Sequence, residues 1–167
     1  SVTALDASTG KIVWQTYTIP EVPFPTTKNK VGTQLWGPSG APVWSSPAID
    51  ARRNALYITT GNNYSDPPSK TSDSFMALDM KTGRMLWWKQ MSSADAYVSA
   101  FRLPDKTNCP ESNGPDFDFS ASPIRVPLDQ SGAVAAARWI ARSGLREDSA
   151  RRRGEELQVR CLLYTSP

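Results

Sequence analysis

The amino-acid sequence predicts an all-β fold made of tandem four-stranded antiparallel sheets, and three observations carry that expectation. Residues 77–87 read Ala-Leu-Asp-Met-Lys-Thr-Gly-Arg-Met-Leu-Trp, and the same skeleton already stands at Ala4, Leu5, Asp6, Thr9, Gly10 and Trp14. Six identical positions thus recur at an offset of 73 residues. Further on, Ser122-Pro123-Ile124 echoes Ser46-Pro47-Ala48-Ile49 at an offset of 76. Between these markers, four strand-like segments follow one another from about residue 42 to residue 90. Self-similarity at a fixed period marks a repeat architecture. Four-stranded units in tandem, each closed by a tryptophan, point to a partial β-propeller of about two blades.

The motif has a readable physical basis. Phe75-Met76-Ala77-Leu78 and Met85-Leu86-Trp87 are short apolar runs suited to strands, with five residues between Leu78 and Arg84. Asp79 can accept bonds from backbone amides ahead of it, and Gly83 supplies the positive φ that turns the chain back. The tryptophan after the turn is large enough to fill the gap between one sheet and the next. Each copy therefore reads as a hairpin ending in an inter-sheet wedge.

In chain order, residues 1–19 read as a hairpin, Ser1–Leu5 with Lys11–Thr18. Residues 20–43 are rich in Pro, Thr, Lys and Gly and read as a long irregular connection, a length more often functional than accidental. Strands follow at Pro42–Asp50 and Ala55–Thr60, around the turn Ala51-Arg52-Arg53-Asn54. A polar loop covers Gly61–Ser74, and the second motif hairpin occupies Phe75–Leu78 and Arg84–Gln90. A further loop spans 91–116 before a strand at Phe117–Val126. This amounts to one full blade, half of a preceding one and the first strand of a following one. A propeller closes only with several blades, so the chain is expected to be a fragment whose true N-terminus is missing.

Composition sharpens the boundary at residue 130. The formal charge is +3. Residues 1–130 are neutral, with seven Lys and five Arg against twelve acids, whereas 131–167 hold seven Arg and four acids. The basic balance is confined to the tail and implies no nucleic-acid face on the main body. No apolar run reaches membrane-spanning length. The absence of histidine excludes covalent haem attachment through Cys-x-x-Cys-His within this chain, and histidine-based zinc sites with it. Cys109 and Cys161 allow at most one disulfide and fix no compartment.

Residues 1–130 thus form the expected propeller part, and 131–167 a tail of different character. No third motif copy appears near residue 150. Instead the tail is biased to Ala, Arg and Gly and ends Cys-Leu-Leu-Tyr-Thr-Ser-Pro. It reads as non-native sequence translated out of frame, or else as a disordered segment or an amphipathic helix over Val134–Leu157.

The repeat resembles the tryptophan-docking motif of quinoprotein alcohol dehydrogenases, propellers that hold pyrroloquinoline quinone (PQQ). Trp44-Ser45-Ser46-Pro47-Ala48-Ile49-Asp50 followed by Leu56-Tyr57-Ile58-Thr59-Thr60-Gly61-Asn62 is similar to that family's active-site blade. Gln34-Leu35-Trp36-Gly37-Pro38, Asn108-Cys109-Pro110 and Gly114-Pro115-Asp116-Phe117-Asp118-Phe119 resemble its polyvinyl alcohol branch. The likeness extends from residue 1 to about 126.

The resemblance implies roles for four residues, each beside a plainer reading. Trp44 matches the tryptophan beneath the planar quinone, where an indole face stacks a conjugated ring, with Trp36 as the other candidate. As residues alone, Trp44 is equally a wedge or core tryptophan, and Trp36 one that packs a loop. Asn62 matches the amide ligand of a calcium ion, since a hard dication takes oxygen ligands. Gly61-Asn62-Asn63 also reads as a turn, and Asn63 replaces Asn62 if the register slips by one. Asp118 matches the catalytic aspartate that takes the hydroxyl proton, with Asp116 as the alternative two residues earlier on the same side of an extended strand. Two carboxylates solvating a strand start are the simpler account. The same branch pairs a second cysteine with Cys109, where Phe101 stands here, which implies no disulfide.

These matches imply PQQ-dependent oxidation of secondary hydroxyls, with PQQ and calcium as cofactors, a cytochrome c as electron acceptor and a periplasmic location. Polyvinyl alcohol is one such substrate, and the fragment alone is expected to be inactive. The competing expectation is a non-catalytic propeller scaffold of the outer-membrane assembly type, which has no need of a stacking Trp, an amide ligand and an acid facing one funnel.

Overall fold

The computed structural model describes residues 1–119, 121–128, 132–136 and 140–141, and the chain over them is almost entirely β. A four-stranded meander forms its centre: β5 (Ala48–Asp50), β6 (Ala55–Thr59), β7 (Ser74–Asp79) and β8 (Met85–Gln90), antiparallel in the order β5-β6-β7-β8. Hairpins joined in sequence give this order because each strand can pair only with the one it turns back upon. The preceding hairpin, β1 (Val2–Leu5) with β2 (Ile12–Thr16), is a separate sheet. The two motif copies therefore lie in different sheets, as expected of neighbouring blades.

Burial explains why β6 and β7 lack a clean polar–apolar alternation. Both faces of the meander are covered. On one, Ala55, Tyr57 and Ala77 pack with Ala48 and Trp87. On the other, Ile58, Met76 and Leu78 pack with Val2 and Trp14 from the β1–β2 sheet and with Val43, Leu56 and Met85. An inner strand between two layers needs apolar residues on both sides. Removing Ile58, Met76 or Leu78 from water contributes about 1.5–3 kcal/mol each.

The motif residues perform the expected local work. Asp79 Oδ1 accepts the Lys81 and Thr82 amides at 2.9 Å each, and Oδ2 accepts Asn54 Nδ2 at 2.7 Å. The Thr82 amide leads the causes that hold the Asp79 carboxyl below its ordinary value. At the first copy, the Ser8 and Thr9 hydroxyls hold Asp6 down at about 2. The wedge is also visible: Trp14 Nε1 donates to the Met80 carbonyl at 2.9 Å, and Thr16 Oγ1 donates to the Gly83 carbonyl at 2.6 Å. The first tryptophan thus locks its sheet onto the turn of the second copy.

Three expectations are corrected. The connection at 20–43 is not irregular throughout, since β3 (Phe24–Lys28) pairs with β4 (Gln34–Gly37) as a bulged hairpin. Pro25 is tolerated because a two-stranded ribbon leaves edge positions that need no donor. The strand expected over Pro42–Asp50 is only Ala48–Asp50, as Pro42 and Pro47 cannot donate to a ladder. The strand expected over Phe117–Val126 is two, β9 (Phe117–Asp118) and β10 (Ile124–Leu128), with Pro123 between them. Of the tail, β11 (Gly132–Ala136) pairs with β10, and β12 (Ile140–Ala141) pairs with β9. The remainder of the expectation for 131–167 lies outside the described residues, as does Cys161; Cys109 is a free thiol.

Candidate functional site

The ends of β6 and β7 carry the candidate site, where three loops are tied to one another. Single bridges run from Gly40 to Asn63, from Asn63 to Ala96 and from Ala96 to Asn113. Their backbone bonds include Ala41 N to Asn62 O at 2.8 Å, Asn63 N to Asp95 O at 3.0 Å and Ala96 N to Ser112 O at 2.9 Å. Gly61, just before Asn62, is held twice: its N–H donates to Pro42 O, and Asp73 N donates to its carbonyl, each at 2.9 Å. The loop before β5, the loop after β6 and the loop after β8 thus meet at Asn62–Asn63.

Gly61 is the point around which the side chains gather. A Cβ there would stand 2.7 Å from Asp118 Oδ1, 3.2 Å from Pro42 Cγ and 3.4 Å from Trp44 Cζ2. The missing side chain is what lets a carboxylate and an indole approach the same backbone atom. Trp44 Nε1 donates to the Phe119 carbonyl at 2.9 Å while the residue stays 46% exposed, so its ring is anchored yet accessible. Phe119 itself is buried edge-on against Phe75, with ring centres 5.0 Å apart.

Asp116 and Asp118 both reach Asn62. The Asn62 amide N–H donates to Asp118 Oδ1 and its Nδ2 donates to Asp116 Oδ1, each at 3.2 Å. The two acids converge for a different reason from the one expected. Asp116 is not extended; it has a φ of 60°. Its N–H and that of Phe117 are held by the Asp95 carboxylate at 3.0 and 2.9 Å. Gly114 makes room for this clamp, since a Cβ there would stand 2.6 Å from Asp95.

Among the described residues Asn62 Oδ1 has no protein donor, because the side chain's bond to Asp116 uses Nδ2. Asn63 is committed instead. Its Oδ1 accepts the Ser69 amide at 2.7 Å and its Nδ2 donates to Ser72 Oγ at 2.8 Å. Asn63 is thus tied into its loop through both ends of its amide. Trp36 sits on the β3–β4 hairpin and is 57% exposed.

Three residues at the site carry no mark in the sequence: Asp73, Asp95 and Tyr64. Asp73 and Asp95 are fully buried. Burial above all, then the charges of Asp95, Asp118 and Asp116, push the Asp73 carboxyl up to about 9. Ser72 offsets this only in part, since its hydroxyl donates to the Ser69 carbonyl. Burial, then the charge of Asp118, raises the Tyr64 phenol above its usual 10.0.

A folded-state pKa raised from 3.8 makes a carboxyl's contribution to stability greatest below that value. Stability is then lost as pH climbs toward the folded value of about 9. Without added metal, Asp73→Asn is expected to flatten this decline by up to about 1.4 kcal/mol per pH unit. Urea titrations across pH 4 to 9, a range on the order of the interval in which a shifted carboxyl titrates, check this.

Residues 1–97 match the family described as "PQQ: Glucose/ethanol/alcohol dehydrogenase, beta-propeller domain". The chain is 42% identical over 146 residues to a polyvinylalcohol dehydrogenase of Pseudomonas sp., covering 81% of this chain and 22% of that protein. It is 44% identical over 126 residues to the polyvinylalcohol dehydrogenase of Sphingopyxis sp. (strain 113P3), covering 74% of this chain and 19% of that protein. A quinohemoprotein alcohol dehydrogenase of Comamonas testosteroni is 31% identical over 114 residues, covering 56% and 16% respectively. The chain spans about a fifth of the length of the curated relatives it matches. With 97 of 167 residues inside the family's own domain, the chain belongs to the PQQ β-propeller family of glucose, ethanol and alcohol dehydrogenases.

Proposed function

We propose that this chain contributes the active-site blade of a PQQ-dependent dehydrogenase that oxidises secondary alcohols, polyvinyl alcohol among them. The observation that carries the reading is the convergence on Gly61 of an anchored, half-exposed indole and a carboxylate, next to Asn62, which bonds both Asp118 and Asp116. The residues present fit the group the family implies. Trp44 offers an accessible face to a flat conjugated ring, and Asn62 Oδ1 is a hard oxygen donor of the kind calcium takes.

When bound, PQQ with its calcium ion supplies a polarised carbonyl that accepts hydride. The chain's own residues bind, orient and move a proton. Asp118 takes the proton from the substrate hydroxyl, fixed in place by the Asn62 N–H on Oδ1. Asp116 holds the Asn62 side chain by its Nδ2, which leaves Oδ1 for the metal. Asp116 is the alternative base. Electrons then pass to a cytochrome c, and the location consistent with this is the periplasm. The chain by itself, at about a fifth of its relatives' length, is proposed to be inactive.

The test is reconstitution of the full-length protein with PQQ and calcium and a dye-linked assay on secondary alcohols. Turnover is expected; tight cofactor binding without turnover on any alcohol would leave the scaffold reading instead. At the level of the metal, Asn62→Ala is expected to weaken calcium binding at least about tenfold by calorimetry, as loss of a ligand should exceed loss of its supporting shell.

A further inference from the structure

Among the described residues, Asp73 has both carboxylate oxygens buried without a hydrogen-bond partner. The residue is fully buried and adopts a φ of 47° at the start of β7. Its backbone is tied to the site, donating to the Gly61 carbonyl and accepting from Met91. The hydroxyls around it spend their protons elsewhere. Ser72 donates to Ser69 O, Ser74 to Ser72 O at 2.8 Å, and Thr60 to Thr71 O at 2.7 Å. No basic side chain answers it either: the one ion pair among the described residues is Arg53 with Asp50, at the far end of the blade.

A buried carboxylate in this state is costly unless a positive charge faces it. Burial therefore keeps the carboxyl protonated while no cation faces it, and a cation bound nearby is what favours its ionised form. Three more carboxylates, Asp95, Asp118 and Asp116, lie close enough to act on it electrostatically. Asp95 is committed to the Asp116 and Phe117 amides, while Asp116 and Asp118 flank Asn62. The whole negative field is therefore assembled around the residue proposed as the metal's amide ligand.

We propose that Asp73 is a positioning residue of the cation site, a buried carboxyl whose negative charge, present once a cation is bound, strengthens that binding and favours ions of higher charge. This rests on the reading of Asn62 as a metal ligand. Asp73 acts across the site through its field, not as a chelating ligand, which agrees with the absence of a three-acid chelate among the described residues. A field of this kind rewards a trivalent ion more than a divalent one, because the attraction scales with the ion's charge.

The experiment uses full-length apo-protein stripped by a chelator and titrated with Tb³⁺, whose luminescence is excited through the indole of Trp44. Calcium is then read by competition. Asp73→Asn is expected to weaken Tb³⁺ binding at least tenfold and calcium binding by a smaller factor, while melting at the same or a higher temperature. Unchanged Tb³⁺ affinity, with only the melting temperature altered, would overturn the proposal and leave Asp73 a structural acid. Asn62→Ala separates the two levels of the argument. If it leaves Tb³⁺ affinity untouched, the metal-ligand reading itself fails; if Asn62→Ala weakens binding and Asp73→Asn does not, only the role of Asp73 fails. Asp73→Ser provides the same comparison if the asparagine variant does not fold, and wild-type protein that binds neither ion refutes both.

Discussion

Asp118→Asn in the full-length protein, loaded with PQQ and calcium, is expected to lower kcat on secondary alcohols by about 10²–10⁴-fold, the usual contribution of a positioned general base. Asparagine keeps an oxygen to accept the Asn62 N–H, so the local geometry survives and only the proton acceptor is lost. Cofactor affinity should change little, because the roles proposed for stacking and for metal ligation fall to Trp44 and Asn62. Asp116→Asn is the control. Asp116 bonds the Asn62 side chain through Oδ1, so its loss should appear as weaker calcium binding with kcat at saturating calcium reduced far less. Steady-state kinetics at several calcium concentrations distinguish the two, and the reverse pattern would transfer the base to Asp116.

The largest expected effect on stability comes from a residue without a side chain. Gly83 has a φ of 73°, and a Cβ on it would lie 2.5 Å from Trp14 Cε3 and 2.6 Å from Thr16 Oγ1. Both neighbours belong to the preceding sheet. Gly83→Ala therefore imposes left-handed backbone strain of about 1 kcal/mol and also displaces the wedge. Displacing the wedge forfeits the Trp14 bond to Met80 and part of the packing on Ile58, Met76 and Leu78. The sum is a loss of roughly 2–4 kcal/mol, within the range for disturbed core packing. Gly10→Ala is the matched comparison, at the same motif position with a φ of 70° but nothing within 4 Å of the added carbon. It should cost only the strain, about 1 kcal/mol. Urea unfolding of both variants measures the difference, and equal losses would show that the tryptophan contributes nothing to holding the sheets together.

Much of this was legible in the residues because the repeat is local. Asp79, Thr82 and Gly83 make their bonds within a few residues, so six recurring identities announce a hairpin and its wedge without knowledge of anything distant. Trp44, Asn62 and Asp118 were found through a family pattern, and their common meeting point follows from loops joined far apart in sequence. Asp73 and Asp95 depend on the same long-range closure and carry no local mark. Ser72-Asp73-Ser74 looks like any polar loop, and only the crossing at Asn63 and Ala96 shows that both acids are sealed from water. The β3–β4 hairpin was hidden by Pro23 and Pro25, whose presence argues against strands wherever the edge is not known to be free.

The cross-links at Gly40, Asn63, Ala96 and Asn113 have a consequence for how such a protein can diversify. Each loop is pinned at one residue close to Asn62, and the stretch 98–111 is tied further at its end, Asn108 to Asn29 and Glu111 to Asp66. Lengthening or rewriting a stretch such as 98–111 leaves the knots in register, because loop closure becomes only slowly costlier with length. Inserting even one residue between Gly61 and Asn63 would instead move the amide off its neighbours. The outer segments can therefore vary in length and sequence while Asn62 and the acids beside it keep their places.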